Sequence, residues 1–365
     1  MKAIVVDARV FSDAMAKVSR VLKKCPIPIL SEISVSFRDG VCTLAATDLE
    51  TWLTARIPAM GDDMDFVFCK TKDVLKVCAQ FDGDLTIELY EQPEEPRAAR
   101  KLRLCCGQRI AEYDATSNED YPSLFSVESD TVFQANAAQL LERIERVRYA
   151  AVKPGKNTRP YGTCVQFKDR RIFSLDGHRM ACDTREEQKV PVPFLAQGCS
   201  LSHLKVFGKN DVTVRVGVHY ILFTDGEVSL YVRRYGVDTF DVDAVIPKRY
   251  LETIKVRTAD FIKELRYLKK CAAAYSRPYV RFAGEQLTMS VPDGKFQTSI
   301  RVIGRGDLTL SFGLQSMLDA LEQFKNVPEV TVKLSGVFSP IVIEAEGRGD
   351  FALVLPVRLK EEMVA

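Results

Sequence analysis

The sequence predicts an α+β chain of three repeated domains, each with two helices packed on antiparallel sheets. Two recurring patterns carry that prediction. An alternating strand running into a turn occurs three times, as Val35-Ser-Phe-Arg-Asp-Gly40, Val165-Gln-Phe-Lys-Asp-Arg170 and Val280-Arg-Phe-Ala-Gly-Glu285. A second strand and then an acidic residue (Asp48, Asp176 or Asp293) follow each one. A strand of the form Asp/Glu-x-Thr-x also recurs, as Asp84-Leu-Thr-Ile87, Asp211-Val-Thr-Val214 and Glu329-Val-Thr-Val332. Similar segments in one fixed order are the mark of a repeated supersecondary unit.

The helices follow from spacing. Upstream of the Val-x-Phe strands lie amphipathic stretches at 7–24, 135–148 and 258–270. Their apolar residues fall at helical intervals: Phe11, Met15, Val18 and Leu22, then Leu140, Leu141, Ile144 and Val147, then Phe261, Leu265 and Leu268. A shorter helix (71–81, 200–209 or 313–324) precedes each Asp/Glu-x-Thr-x strand. Pro-punctuated turns at Asp120-Tyr-Pro-Ser-Leu124 and Val245-Ile-Pro247 divide the chain into domains 1–127, 128–249 and 250–365.

Composition narrows the function classes. With 365 residues, 46% hydrophobic and 27% charged, the chain can fill several cores and keep an ordinary polar surface. No apolar run approaches the ~18 residues of a membrane span, and the start lacks the basic-then-apolar layout of a signal peptide. The expectation is a cytoplasmic protein with no membrane partner. Its ten cysteines include no Cys-x-x-Cys pair, so reduced, buried thiols are expected rather than a disulfide frame or metal site. The net charge of +2 does not argue for nucleic acid, so position must.

Basic residues recur on five of the six helices. Lys17, Arg20 and Lys24 are spaced i, i+3, i+7 on the first, and Lys263, Arg266 and Lys270 repeat this on the third long helix. The second carries Arg143 and Arg146. Among the shorter helices, the first offers Lys72 and Lys76 and the second Lys205 and Lys209, whereas the last offers Asp319 and Glu322. Such residues neutralise phosphates without reading bases, and no groove-reading motif accompanies them. Sequence-independent contact with duplex DNA is the predicted role. At helix spacings of ~10 Å, six helices in a circle leave a hole of about 10 Å and twelve leave about 28 Å. A duplex therefore needs two chains, if the helices close into a circle.

Five motifs in order then bring a family into view: Pro26-Ile-Pro-Ile-Leu30 with Gly40 and Thr47-Asp-Leu-Glu50, Asp176-Gly-His-Arg-Met180, Val245-Ile-Pro247, and Leu353-Val-Leu-Pro-Val-Arg-Leu359. On these residues the chain resembles the β sliding clamp of bacterial DNA polymerase III over essentially its whole length. The resemblance implies a head-to-tail homodimeric ring around duplex DNA, helices inside and sheets outside. It implies no catalytic activity and no cofactor. It also implies a pocket for short linear motifs of the polymerase catalytic subunit, the clamp loader and repair proteins, which gives processive DNA replication. By position that pocket comprises Gly162, Leu175, Gly177, His178, Arg179, Met180, Val245, Leu353, Leu355, Pro356, Val357, Arg358 and Leu359. The resemblance adds Lys156 and Tyr161 to the DNA contacts. It places the dimer interface near Ala111 on one side and Cys271 and Ala272 on the other.

Departures from the family pattern are Gly162 for a leucine, Leu175 for a threonine and Phe240 for a proline. Six residues, 360–365, extend past the usual end, and the pI near 8.0 is high for a mostly acidic family. A specialised or mobile-element second clamp therefore stays open as an alternative. A metal-dependent nuclease is the rival class, resting on Asp176, His178 and Arg179. Asp176-Gly177 reads better as a turn, since glycine suits positive φ, and no His pairing or phosphate-binding loop supports catalysis.

Overall fold

A computed structural model gives the fold and describes residues 1–91, 100–124, 126–155, 158–236, 238–271, 279–282, 286–291, 294–304 and 308–358. The chain forms two compact units, one of Met1–Leu141 with Cys199–Arg234, the other of Glu142–Gly198 with Tyr235–Ala365. The first contains a thirteen-stranded sheet, the second a ten-stranded sheet and a two-stranded one. Every described strand pairing is antiparallel.

The threefold repeat is explicit in the strand register. Strands Lys2–Asp7, Val132–Asn136 and Glu252–Arg257 run straight into helices Ala8–Val18, Ala137–Val147 and Thr258–Cys271. Each pairs antiparallel with an Asp/Glu-x-Thr-x strand, closing on Asp7↔Asp84, Asn136↔Asp211 and Arg257↔Glu329. The shorter helices precede those partners at Thr71–Cys78, Gly198–Leu201 and Leu314–Glu322, the second continuing as a 3₁₀ turn over Ser202–Phe207. The Val-x-Phe segments are strands at Ser34–Arg38, Cys164–Asp169 and Tyr279–Phe282.

Local chemistry explains these elements. Asp7 caps the first helix, its carboxylate accepting from the Arg9 and Val10 N–H groups at 2.9 Å each. Ala8, Phe11, Ala14, Met15 and Val18 form its buried stripe. The hairpin after Ser34–Arg38 turns on Asp39 and Gly40, both at positive φ, as a two-residue turn of matching twist requires. Phe261, Leu265 and Leu268 join Leu314, Met317 and Leu321 in the core of the second unit. Fully burying each such side chain contributes about 1.5–3 kcal/mol.

One expectation needs correction here. The first long helix ends at Val18 and tightens into a 3₁₀ turn over Ser19–Val21, where the Ser19 hydroxyl donates to the Ala16 carbonyl at 3.0 Å. Leu22 is already extended, so Lys24 lies beyond the helix and does not continue a stripe with Lys17 and Arg20.

Candidate functional site

The predicted pocket strand begins as a hairpin. Arg171–Leu175 pairs with Arg179–Thr184, closing on Leu175↔Met180. Asp176 builds the turn: its Oδ1 accepts from the N–H groups of His178 (2.9 Å) and Arg179 (3.0 Å), and Gly177 sits at φ +88°. That carboxylate organises backbone, which is the role expected of a turn residue.

Arg179–Thr184 then pairs with Asp350–Val354, setting Met180 opposite Leu353. Phe173, Met180, Cys182, Val242, Val342 and Leu353 form a buried cluster, with Leu175, Phe240, Val245, Ile246 and Tyr250 packed against it. Burial, chiefly, pushes the Cys182 thiol up to about 12, so it is an apolar filler at neutral pH. Of the predicted wall, Leu175, Met180, Val245 and Leu353 are thus together. Leu355 is 40% exposed beside them, its N–H donating to the His178 carbonyl at 2.8 Å. Val357 donates its N–H to the Ser311 carbonyl at 2.7 Å, and Pro356 bridges to Phe312. Arg358 stacks on Phe338, 5.4 Å from the ring centre. At Gly162 an added Cβ would meet Val152 at 3.7 Å and the Leu175 carbonyl at 3.8 Å, ordinary contacts that leave room for a side chain.

His178 and Gly177 are exposed, but Arg179 is not a free rim group. Asp176 holds its Nε at 3.0 Å, Asp319 takes its Nη1, and its guanidinium lies 5.7 Å from the Tyr149 ring centre. Val242 and Tyr250 are absent from the predicted wall, and Phe240 enters there only as a departure from the family pattern. The alternation Phe240-Asp-Val242 just before Val245 was the available signal.

The far end of the same strand pair is ionic. Asp183 and Asp350 face each other directly, an arrangement of like charges that needs compensation. Arg143, 2% exposed, donates from Nε to Asp183 at 2.5 Å and from Nη2 to the Arg170 carbonyl at 2.8 Å. Arg146 reaches Asp183 (3.4 Å) and Asp350 (3.7 Å), and Arg348 grips Asp350 at 2.5 Å. Burial lowers the Arg143 pKa below its ordinary value, and the Asp183 carboxylate works in the opposite direction. Arg143 is therefore corrected from a DNA contact to a buried structural cation. Arg146, also tied to Glu142 at 2.5 Å, is largely committed to the same cluster.

Known proteins bear on this architecture. No family model matches the chain. The β sliding clamp of Halalkalibacterium halodurans is 24% identical over 93% of this chain and 94% of its own length. Solved DNA polymerase III β subunits from Thermotoga maritima (TM-score 0.82, 20% identity) and Streptococcus pneumoniae (0.84, 20%) cover 99% and 98% of the chain and all of theirs. This is the β sliding clamp fold.

Within that fold the other predicted residues fall as follows. Arg20, Lys24, Lys72, Lys76, Lys205, Lys263 and Arg266 are exposed, and Lys17 is half-buried. Lys76 pairs with Asp73 at 3.2 Å and Arg266 with Glu322 at 2.5 Å. Tyr161 packs edge-on against Phe240 with centroids 6.1 Å apart, so its ring is engaged by the pocket cluster. Ala111 lies on strand Arg109–Thr116, which pairs with Arg100–Cys106 along its length but with Met64–Phe68 only at Ala115 and Thr116. Cys271 is half-buried at the end of its helix. Lys156, Leu359 and Ala272 lie outside the described residues. Among those described, no group of three or more His, Cys, Asp or Glu is placed to hold a metal ion, and no helix is long and apolar enough to cross a membrane.

Proposed function

We propose that this chain is a DNA sliding clamp: a non-catalytic, head-to-tail homodimer of three-domain chains that encircles duplex DNA and tethers polymerase and other DNA-processing proteins. The observation that carries the reading is the strand–helix–strand unit repeated three times in register, in a fold shared over its whole length with DNA polymerase III β subunits. Exposed cations on the helices suit a phosphate surface without sequence preference. The open backbone edge around Ala111 suits pairing with a second chain, since an unpaired strand edge is a template for addition. Leu175, Val245 and the exposed Leu355 suit apolar anchors of a short peptide, each contributing about 1.5–3 kcal/mol on burial.

The test is topological. Loaded on closed circular duplex, the protein should survive a high-salt wash, and linearising the circle should release it. Equal loss from both forms overturns encirclement. Sedimentation should give a dimer of 41.0 kDa chains, and a monomer at micromolar concentration overturns the ring. For the pocket, Leu355→Ala with Leu175→Ala should abolish polymerase stimulation while loading persists.

A further inference from the structure

A groove of about 580 Å³ runs along the exposed face of the third long helix, lined by Ala259, Ile262, Lys263, Arg266, Tyr267 and Lys270, and closed by Lys325 and Asn326 of the segment after helix Leu314–Glu322. Four of those eight residues are cations and none is acidic. Arg266 is partly neutralised by Glu322, but Lys263, Lys270 and Lys325 enter no ion pair among the described residues. Tyr267, 44% exposed, stands between the cations on the same helix. A second hollow of about 560 Å³ shares Ala259, Lys325 and Asn326, but there Glu329 and Glu346 offset two of the three cations. There Lys255 pairs with Glu346 and Arg257 with Asp260, each at 3.5 Å. The strongly positive stretch therefore ends at Lys325.

We infer that this groove binds a short single-stranded segment of nucleic acid, its phosphates on Lys263, Lys270 and Lys325 and one base stacked on Tyr267. The inference deepens the nucleic-acid reading above and rests on it. An aromatic face among unpaired cations is what sequence-tolerant single-strand sites use, because every base has a stacking face. Duplex contact needs only the cations and would leave the ring idle. From Lys263 to Lys270 the helix rises about 10 Å, enough for two or three phosphates. Three lysines meeting three phosphates give a slope of log affinity against log salt of about −2.

The full-length protein should be titrated into a fluorescent oligothymidylate and into a duplex of equal length at low salt. Tyr267→Ala should weaken the single strand several-fold and the duplex little, and Tyr267→Phe should restore single-strand binding. Lys325→Glu with Lys270→Glu should weaken the single strand at least tenfold and flatten its salt slope. Unchanged single-strand affinity in the charge reversal overturns the site, provided its melting curve matches the parent. Equal loss of both ligands in Tyr267→Ala overturns the stacking platform. Loading of the unmodified protein on circular duplex is scored separately, so failure to encircle DNA and failure of this groove give different results.

Discussion

The second and third long helices start from the same register and treat their charges in opposite ways. Counted from the junction pairs Asn136↔Asp211 and Arg257↔Glu329, Glu142 and Glu145 occupy the places of Lys263 and Arg266. The third helix thus turns lysine and arginine outward. On the second, Arg143 falls inward and is neutralised by Asp183, while the carboxylates of Glu142 and Glu145 face solvent and pair with Arg146 and Arg148. A one-residue offset on a helix rotates a side chain by about 100°, which is enough to exchange a ligand surface for a core. Basic residues at helical spacing do not by themselves define a surface. The acid that the fold sets opposite them decides.

The largest expected effect tests the buried half of that contrast. Arg143→Ala leaves Asp183 and Asp350 facing each other without their main cation, and should cost about 3–5 kcal/mol in urea unfolding. Arg143→Met with Asp183→Leu removes both charges and should recover most of the loss. A single variant within 1 kcal/mol of the parent would mean that Arg146, Arg185 and Arg348 already suffice.

A second buried group shows what happens when burial outweighs a nearby acid, here Asp48. His203, on the short helix of the second repeat and 9% exposed, is pushed down to about 4, first by burial and then by Lys23. Its folded pKa lies below the unfolded 6.5, so the unfolded chain binds a proton that the folded chain refuses. Stability is intact above about pH 6.5 and should fall by up to about 3 kcal/mol as pH drops to about 4. Urea midpoints measured across that window should flatten in His203→Leu. Parallel curves for the two proteins would show that other groups set the acid response.

Smaller effects address the exposed half. Glu142→Lys with Glu145→Lys should give the second helix the outward cations of the third. Stability should change little, and the salt slope for duplex binding should steepen by roughly two if both lysines meet phosphates. An unchanged slope would place that helix away from DNA. Least of all, Arg266→Ala should leave the thermal midpoint where it was, because the Arg266–Glu322 pair is 59% and 34% exposed and screened by solvent.

Sequence periodicity determined the repeated unit. The two helices of each copy, the Val-x-Phe and Asp/Glu-x-Thr-x strands, and the Asp39-Gly40 and Asp176-Gly177 turns follow from short-range signals, because spacing and turn chemistry act within a few residues. Met180 and Leu353 entered as pocket neighbours through the family resemblance, and the strand register sets them opposite each other. Tertiary structure alone decided the rest. That Asp183 and Asp350 would meet, and draw Arg143 inward, depends on the register of strands more than 160 residues apart. Arg179, already held by its neighbour Asp176, gained a second acid because Asp319 of a distant helix reached it, and Tyr161 met Phe240 edge-on. Charge and aromatic groups carry long-range preferences but no periodic signature, so where they point is fixed by what the packed chain places opposite them.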